Sequence, residues 1–98
     1  MRVKKFSLGG HDFTVKYVKA LRGDNGGLFG RASPKNNMVE IALTMNGEKL
    51  AEDVIQHTIC HELSHLIMIL MYEHELNANE QFIDQLGLFI HQFMKTMK

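Results

Sequence analysis

Over the first 44 residues apolar and polar positions alternate loosely, as in strands, whereas from residue 48 onward apolar positions recur every three or four residues, as in helices. Residues 3–8 and 13–18 carry β-branched and aromatic side chains, and the Gly-Gly-His-Asp segment at 9–12 reads as a hairpin turn between them. Residues 28–32 and 38–43 look like a second strand pair, joined by the turn-forming Ser-Pro-Lys-Asn-Asn at 33–37. The glycine-rich stretch 23–27 reads as a loop and lacks the strand–turn–helix context of a nucleotide-binding loop. A helix is expected over 48–72, with Leu50, Val54, Ile55, Ile59, Leu63, Leu66, Ile67 and Leu70 at helical spacing. After a break at 73–77, a last helix is expected over 79–97, burying Phe82, Ile83, Leu86, Phe89, Ile90 and Phe93. The pattern predicts an α+β fold: a small, antiparallel-rich β-sheet from residues 1–44 packed on two long helices, in one domain spanning 1–98.

Length and charge narrow the partners. A chain of 98 residues builds a modest core, to which a bound metal would add useful stability. Eleven basic and eleven acidic residues cancel, which argues against nucleic acid or an anionic membrane as partner. The lysine-rich start at 1–5 reads as a solvated terminus with charges that discourage edge pairing. The single cysteine, Cys60, excludes an intramolecular disulfide and favours a reducing compartment. No charged segment leads into an apolar run as in a signal peptide, and the longest apolar run, 66–72, is far short of the roughly 20 residues a bilayer requires. The expected location is cytoplasmic.

The candidate chemistry lies inside the first predicted helix. His61-Glu62-Leu63-Ser64-His65 fits HExxH. Histidines at i and i+4 lie one turn apart on one face, so both imidazoles can reach one zinc ion. Glu62 then sits beside the metal, placed to take a proton from a metal-bound water. A catalytic zinc usually has a third protein ligand and one open position. Glu80, 15 residues after His65, is the preferred third ligand, because that interval lets the chain turn and return antiparallel. Glu73, His74 and Glu75, just past the metal helix, stay open as alternatives. Asp84, one turn beyond Glu80, could accept a hydrogen bond from a ligand histidine's free N–H.

Other side chains receive plainer assignments. His57 shares the face of His61 but stands about 12 Å along the axis from His65, too far for one ion to take all three. His11 and His91 read as surface residues. Cys60 points about 100° round the helix from His61 and reads as a small core residue. Met68, Met71, Met94 and Met97 read as packing residues.

HELSH followed by Asn79-Glu80-Gln81-Phe82-Ile83-Asp84 resembles the gluzincin metallopeptidases, the thermolysin-like clan, whose pattern is HExxH and a downstream NExxxD or ExxxD helix. The likeness covers roughly residues 48–97. It implies a zincin-like domain holding one zinc per chain through His61, His65 and Glu80, with Glu62 as general base and Asp84 as an outer carboxylate. It also implies hydrolysis of a peptide or protein substrate. His74 or Tyr72 is the candidate oxyanion donor, since gluzincins commonly use a histidine or a tyrosine there. The short sheet, metal helix and glutamate helix further resemble small, phage-encoded minimal metallopeptidases. An extended substrate could pair with an exposed sheet edge, either 38–43 or 28–32. Two other classes compete. One is a zinc-stabilised regulatory or protein-binding module with little or no turnover, favoured by how little chain remains to shape a cleft. The other is a metal-free interaction module in which HELSH is coincidental. Glu62 favours the enzyme, because a purely structural site needs no base.

Overall fold

The computed structural model describes residues 2–98. In chain order the strands are β1 (Lys5–Leu8), β2 (His11–Val18), β3 (Leu21–Gly23), β4 (Gly26–Leu28), β5 (Gly30–Ser33), β6 (Met38–Ala42), β7 (Thr44–Met45) and β8 (Glu48–Lys49). The helices are α1 (Glu52–Leu70), α2 (His74–Ala78) and α3 (Glu80–Thr96). The α+β class holds: a four-stranded sheet ordered β1-β2-β6-β5 packs on two long helices. It is a mixed sheet, antiparallel at β1–β2 and β5–β6 but parallel at β2–β6. The first hairpin turns at Gly9 and Gly10, whose φ of 58° and 81° suit a residue without a side chain. The second turns through Pro34–Asn36, with Asn37 left-handed at φ 50°.

Three expectations about local structure need correction. The stretch 23–27 is not a plain loop; it forms the tip of the β3–β4 hairpin. The strand expected at 28–32 is split at Phe29, Leu28 ending β4 and Gly30 opening β5. Glycines carry no apolar side chains, so these short strands leave no alternation to read. The metal helix also starts later than residue 48. Asn46 and Gly47 both have positive φ, 53° and 84°, and make the tight turn between β7 and β8. That Asn-Gly turn adds the short strand β8 and so delays the helix to Glu52. There Glu52 and Asp53 meet the positive end of the helix dipole.

The far end of α1 explains Tyr72. The N–H of Tyr72 donates to Ile69 O (3.1 Å) and that of Glu73 to Met68 O (2.8 Å), the bonding of a Schellman cap. Tyr72 occupies its left-handed position, φ 58°, with 81% of its surface exposed. A Tyr72→Gly variant is expected to stabilise the fold by about 1 kcal/mol, because glycine enters that region without the Cβ penalty. A urea melt showing no gain would count against a strained cap.

α1 is buried from two sides. Ile55, Ile59 and Leu66 join Phe13, Val15, Val39 and Ile41 in the core against the sheet. The opposite side meets α3, whose buried positions are Ile83 and Gly87. Leu66 is fully buried, so Leu66→Ala is expected to cost about 2–5 kcal/mol, read as a fall in the urea midpoint. Cys60 is buried, as expected, and burial pushes its thiol pKa up.

The predicted stripe of α3 is only partly buried. Ile83 is enclosed and Phe82, Leu86 and Ile90 are half-buried, but Phe89 and Phe93 are 61% and 67% exposed. The helix docks through its Gly87 side instead of the middle of its apolar arc, because only there does the backbone of α1 fit against it. Of the four methionines assigned to packing, Met68 is buried, while Met71, Met94 and Met97 are exposed. Among the described residues no helix is long and apolar enough to cross a membrane.

Candidate metal centre

Helix geometry alone sets His61 and His65 side by side on α1, with ring centroids 5.0 Å apart. The carboxylate comes from α3. Asn79 caps that helix, its Oδ1 accepting from the Phe82 N–H at 3.0 Å, and so places Glu80 on the first turn. Glu80 Oε2 lies 3.5 Å from His61 Nε2, and Glu80 Oε1 lies 3.4 Å from His65 Nε2. One potential ligand atom from each of these three residues lies within 4.8 Å of the other two, so the group could hold a metal ion. Two donors each about 2.0–2.2 Å from one tetrahedral ion stand roughly 3.3–3.6 Å apart, and the two His–Glu separations match that spacing. Glu73, His74 and Glu75 are exposed and lie outside the group.

The imidazoles are held from behind. His61 Nδ1 lies 3.3 Å from Asp84 Oδ1, the outer carboxylate expected from the sequence. His65 Nδ1 lies 2.7 Å from Asn77 Oδ1. A neutral imidazole donating its Nδ1–H to that oxygen in each case would present an unprotonated Nε2 to Glu80, the tautomer a metal requires.

Three contributors escaped sequence reasoning. Asn77 lies on α2, the five-residue helix that overlaps the segment read as a break. Gly87 is the second. A Cβ there would stand 2.9 Å from His61 Cα and 3.0 Å from His61 N, so only glycine lets α3 come close enough for Glu80 and Asp84 to reach the histidines. Gly30 is the third. A Cβ there would meet Thr58 Cγ2 at 2.7 Å and Glu62 Cγ at 3.2 Å, so its absence lets β5 lie against α1. A lone glycine inside an apolar helical pattern was the one readable signal, since helices disfavour glycine unless packing requires it. Gly87→Ala is expected to destabilise the fold by about 1–3 kcal/mol through overpacking and to weaken metal binding with it. Unchanged stability and metal affinity, by denaturant titration and chelator competition, would remove Gly87 from this role.

Glu62 faces the site from the sheet side of α1 and is only 7% exposed. Burial raises its pKa above the ordinary carboxylate value. The charges of His61 and His65 and a hydrogen bond from the Ala32 backbone oppose that rise, and Glu80 adds to it. A carboxylate of raised pKa is a better proton acceptor than an exposed one. Two hollows adjoin it. One, of about 340 Å³, is walled by Phe29, Gly30, Val54, His57, Thr58, His61 and Asp84. The other, of about 430 Å³, lies over Glu80, His65 and Asn77 and is bordered by Leu28 and β5. Tyr72 and His74 line neither hollow; their rings pack edge to face, 6.4 Å apart. Of the two strands considered as a sheet edge, β5 is the edge and β6 is interior.

In comparison with known proteins, the chain matches no family model, no curated protein and no solved structure.

Proposed function

We propose that this protein is a minimal zinc-dependent peptidase of gluzincin type. The observation that carries the proposal is the orientation of the two imidazoles: both Nε2 atoms turn to Glu80 while Asp84 and Asn77 occupy both Nδ1 positions, with Glu62 buried alongside. His61, His65 and Glu80 hold the ion. Zinc bound there would polarise the scissile carbonyl and acidify water. Glu62 takes a proton from the attacking water as the new C–O bond forms, then passes it to the leaving amine as the C–N bond breaks. An extended peptide lies along the free edge of β5, which borders the second hollow, and its backbone is aligned by strand pairing.

Metal analysis and a peptide-library assay test the proposal together. One zinc per chain and cleavage abolished by a chelator are expected. Stoichiometric zinc without cleavage of any library member would instead favour a zinc-stabilised protein-binding module. The exposed apolar side chains Phe89 and Phe93 on α3, with Met97 just past its end, are the observation that supports that second possibility.

A further inference from the structure

His57 lies one turn before His61 on α1, on the same helix edge, and takes no part in the proposed ligand set. Its Nε2 is the buried side-chain nitrogen that lacks a hydrogen-bond partner among the described residues. Buried donors without partners are costly, so one beside a candidate site needs a physical account. The nearest acidic atom is Asp84 Oδ1, 3.6 Å away, just beyond hydrogen-bond length. That same oxygen faces His61 Nδ1 at 3.3 Å. Asp84 thus presents one oxygen to two histidines on successive turns of α1.

Without a second donor Asp84 would be poorly held. Its side chain is 55% exposed, and its hydrogen bond to His61 is long. His57, by contrast, is braced: its ring stacks on that of His91, centroids 6.0 Å apart and planes within 10°. His91 lies two turns beyond Asp84 on α3, so the facing helix edges supply His57, Asp84, His61 and His91 as one polar seam, with Gly87 allowing the close approach.

We infer that His57 is a positioning residue for the metal centre: its Nε2–H shares Asp84 Oδ1 with the Nδ1–H of His61 and keeps that carboxylate against the ligand. A shift of a few tenths of an ångström closes the 3.6 Å gap to a hydrogen bond and satisfies the orphaned nitrogen. The inference rests on the metal-holding role of His61, His65 and Glu80. Removing the partners that orient a metal-bound histidine typically weakens the metal about 10–100-fold, and a residue acting through such a partner belongs at the lower end.

The test uses zinc affinity by competition with a chromophoric chelator, and the visible spectrum of the cobalt-loaded protein. His57→Phe keeps a ring for His91 but has no donor; it is expected to weaken zinc about tenfold and to shift the cobalt bands. His57→Gln places a donor near the Nε2 position and is expected to restore both. In an Asp84→Asn background, His57→Phe is expected to have little additional effect, because the two act through one contact. Thermal melts of the metal-free variants establish that each is folded. Wild-type affinity and spectrum in His57→Phe would overturn the inference, as would equal losses in His57→Phe and His57→Gln, which would leave only ring packing. A wild-type chain that takes up no zinc would overturn the metal reading and this one with it. Zinc binding that depends on His61 but not on His57 would overturn this one alone.

Discussion

Replacing Glu62 with glutamine is expected to slow peptide cleavage by about 10²–10⁴-fold, the usual contribution of a general base, while leaving zinc uptake unchanged. The two parts of the expectation come from different atoms. The ion is assigned to His61, His65 and Glu80, none of which is altered. The proton is assigned to a carboxylate that glutamine matches in shape but cannot replace as an acceptor. Cleavage by the variant at the wild-type rate would refute the base assignment even if the metal centre proved real.

The same substitution has a second, independent signature. The pKa of Glu62 is raised from an ordinary value of 4.5, chiefly because burial disfavours its charge. For a carboxyl shifted in that direction, the unfolded chain ionises first. The metal-free fold is therefore most stable, with respect to this group, below pH 4.5, and loses stability as pH rises through the folded-state value. Glutamine cannot ionise. Metal-free Glu62→Gln is expected to melt above wild type at neutral pH, with the gap closing below pH 4.5. A gap that stayed constant across that range would mean that burial of the charge is not its source.

The second large effect is on the melting temperature. Zinc at about 100 times its dissociation constant adds roughly 2.7 kcal/mol to a fold that alone binds it. For a domain of this size each kcal/mol moves the midpoint by about 4–8 °C, so a rise of roughly 10–20 °C is expected. A modest core makes the increment conspicuous. His61→Ala removes one of the three candidate ligands and, with it, the contact to Asp84. It is expected to abolish most of the rise while leaving the metal-free melt close to that of wild type, since the His61 side chain is not part of the apolar core. Equal zinc-induced shifts in wild type and His61→Ala would place the ion elsewhere.

The surface ion pairs behave differently. Arg2 binds Glu52 at 2.7 Å and Lys95 binds Asp53 at 2.8 Å, tying β1's approach and the end of α3 to the start of α1. The hydrogen bonds from Arg2 and Lys95 are the largest influences lowering the two carboxylate pKa values. Both groups are fully exposed, so the pairs contribute little to stability, and what they contribute is lost as pH falls through the lowered values.

What the sequence determined by itself is local. A step of four residues from His61 to His65 guarantees a shared helix face, because 3.6 residues make one turn whatever surrounds the helix. Alternation and helical periodicity located the strand half and the two long helices by the same reasoning. The Asn-Gly at 46–47 carries the signal of a tight turn, which the helix expected from residue 48 left unused. What only the tertiary structure decided is which distant groups meet that face. Glu80, Glu73 and Glu75 are equivalent as carboxylates, and the close approach of α3 at Gly87 selects the first. The same contact rotates α3 off the centre of its apolar stripe, leaving Phe89 and Phe93 in solvent. It also brings Asp84 to His61, while α2 delivers Asn77 to His65. Helix periodicity is set by hydrogen bonds four residues apart, but helix docking is set by where two backbones can touch. At that contact a missing Cβ decides as much as the side chains that are present.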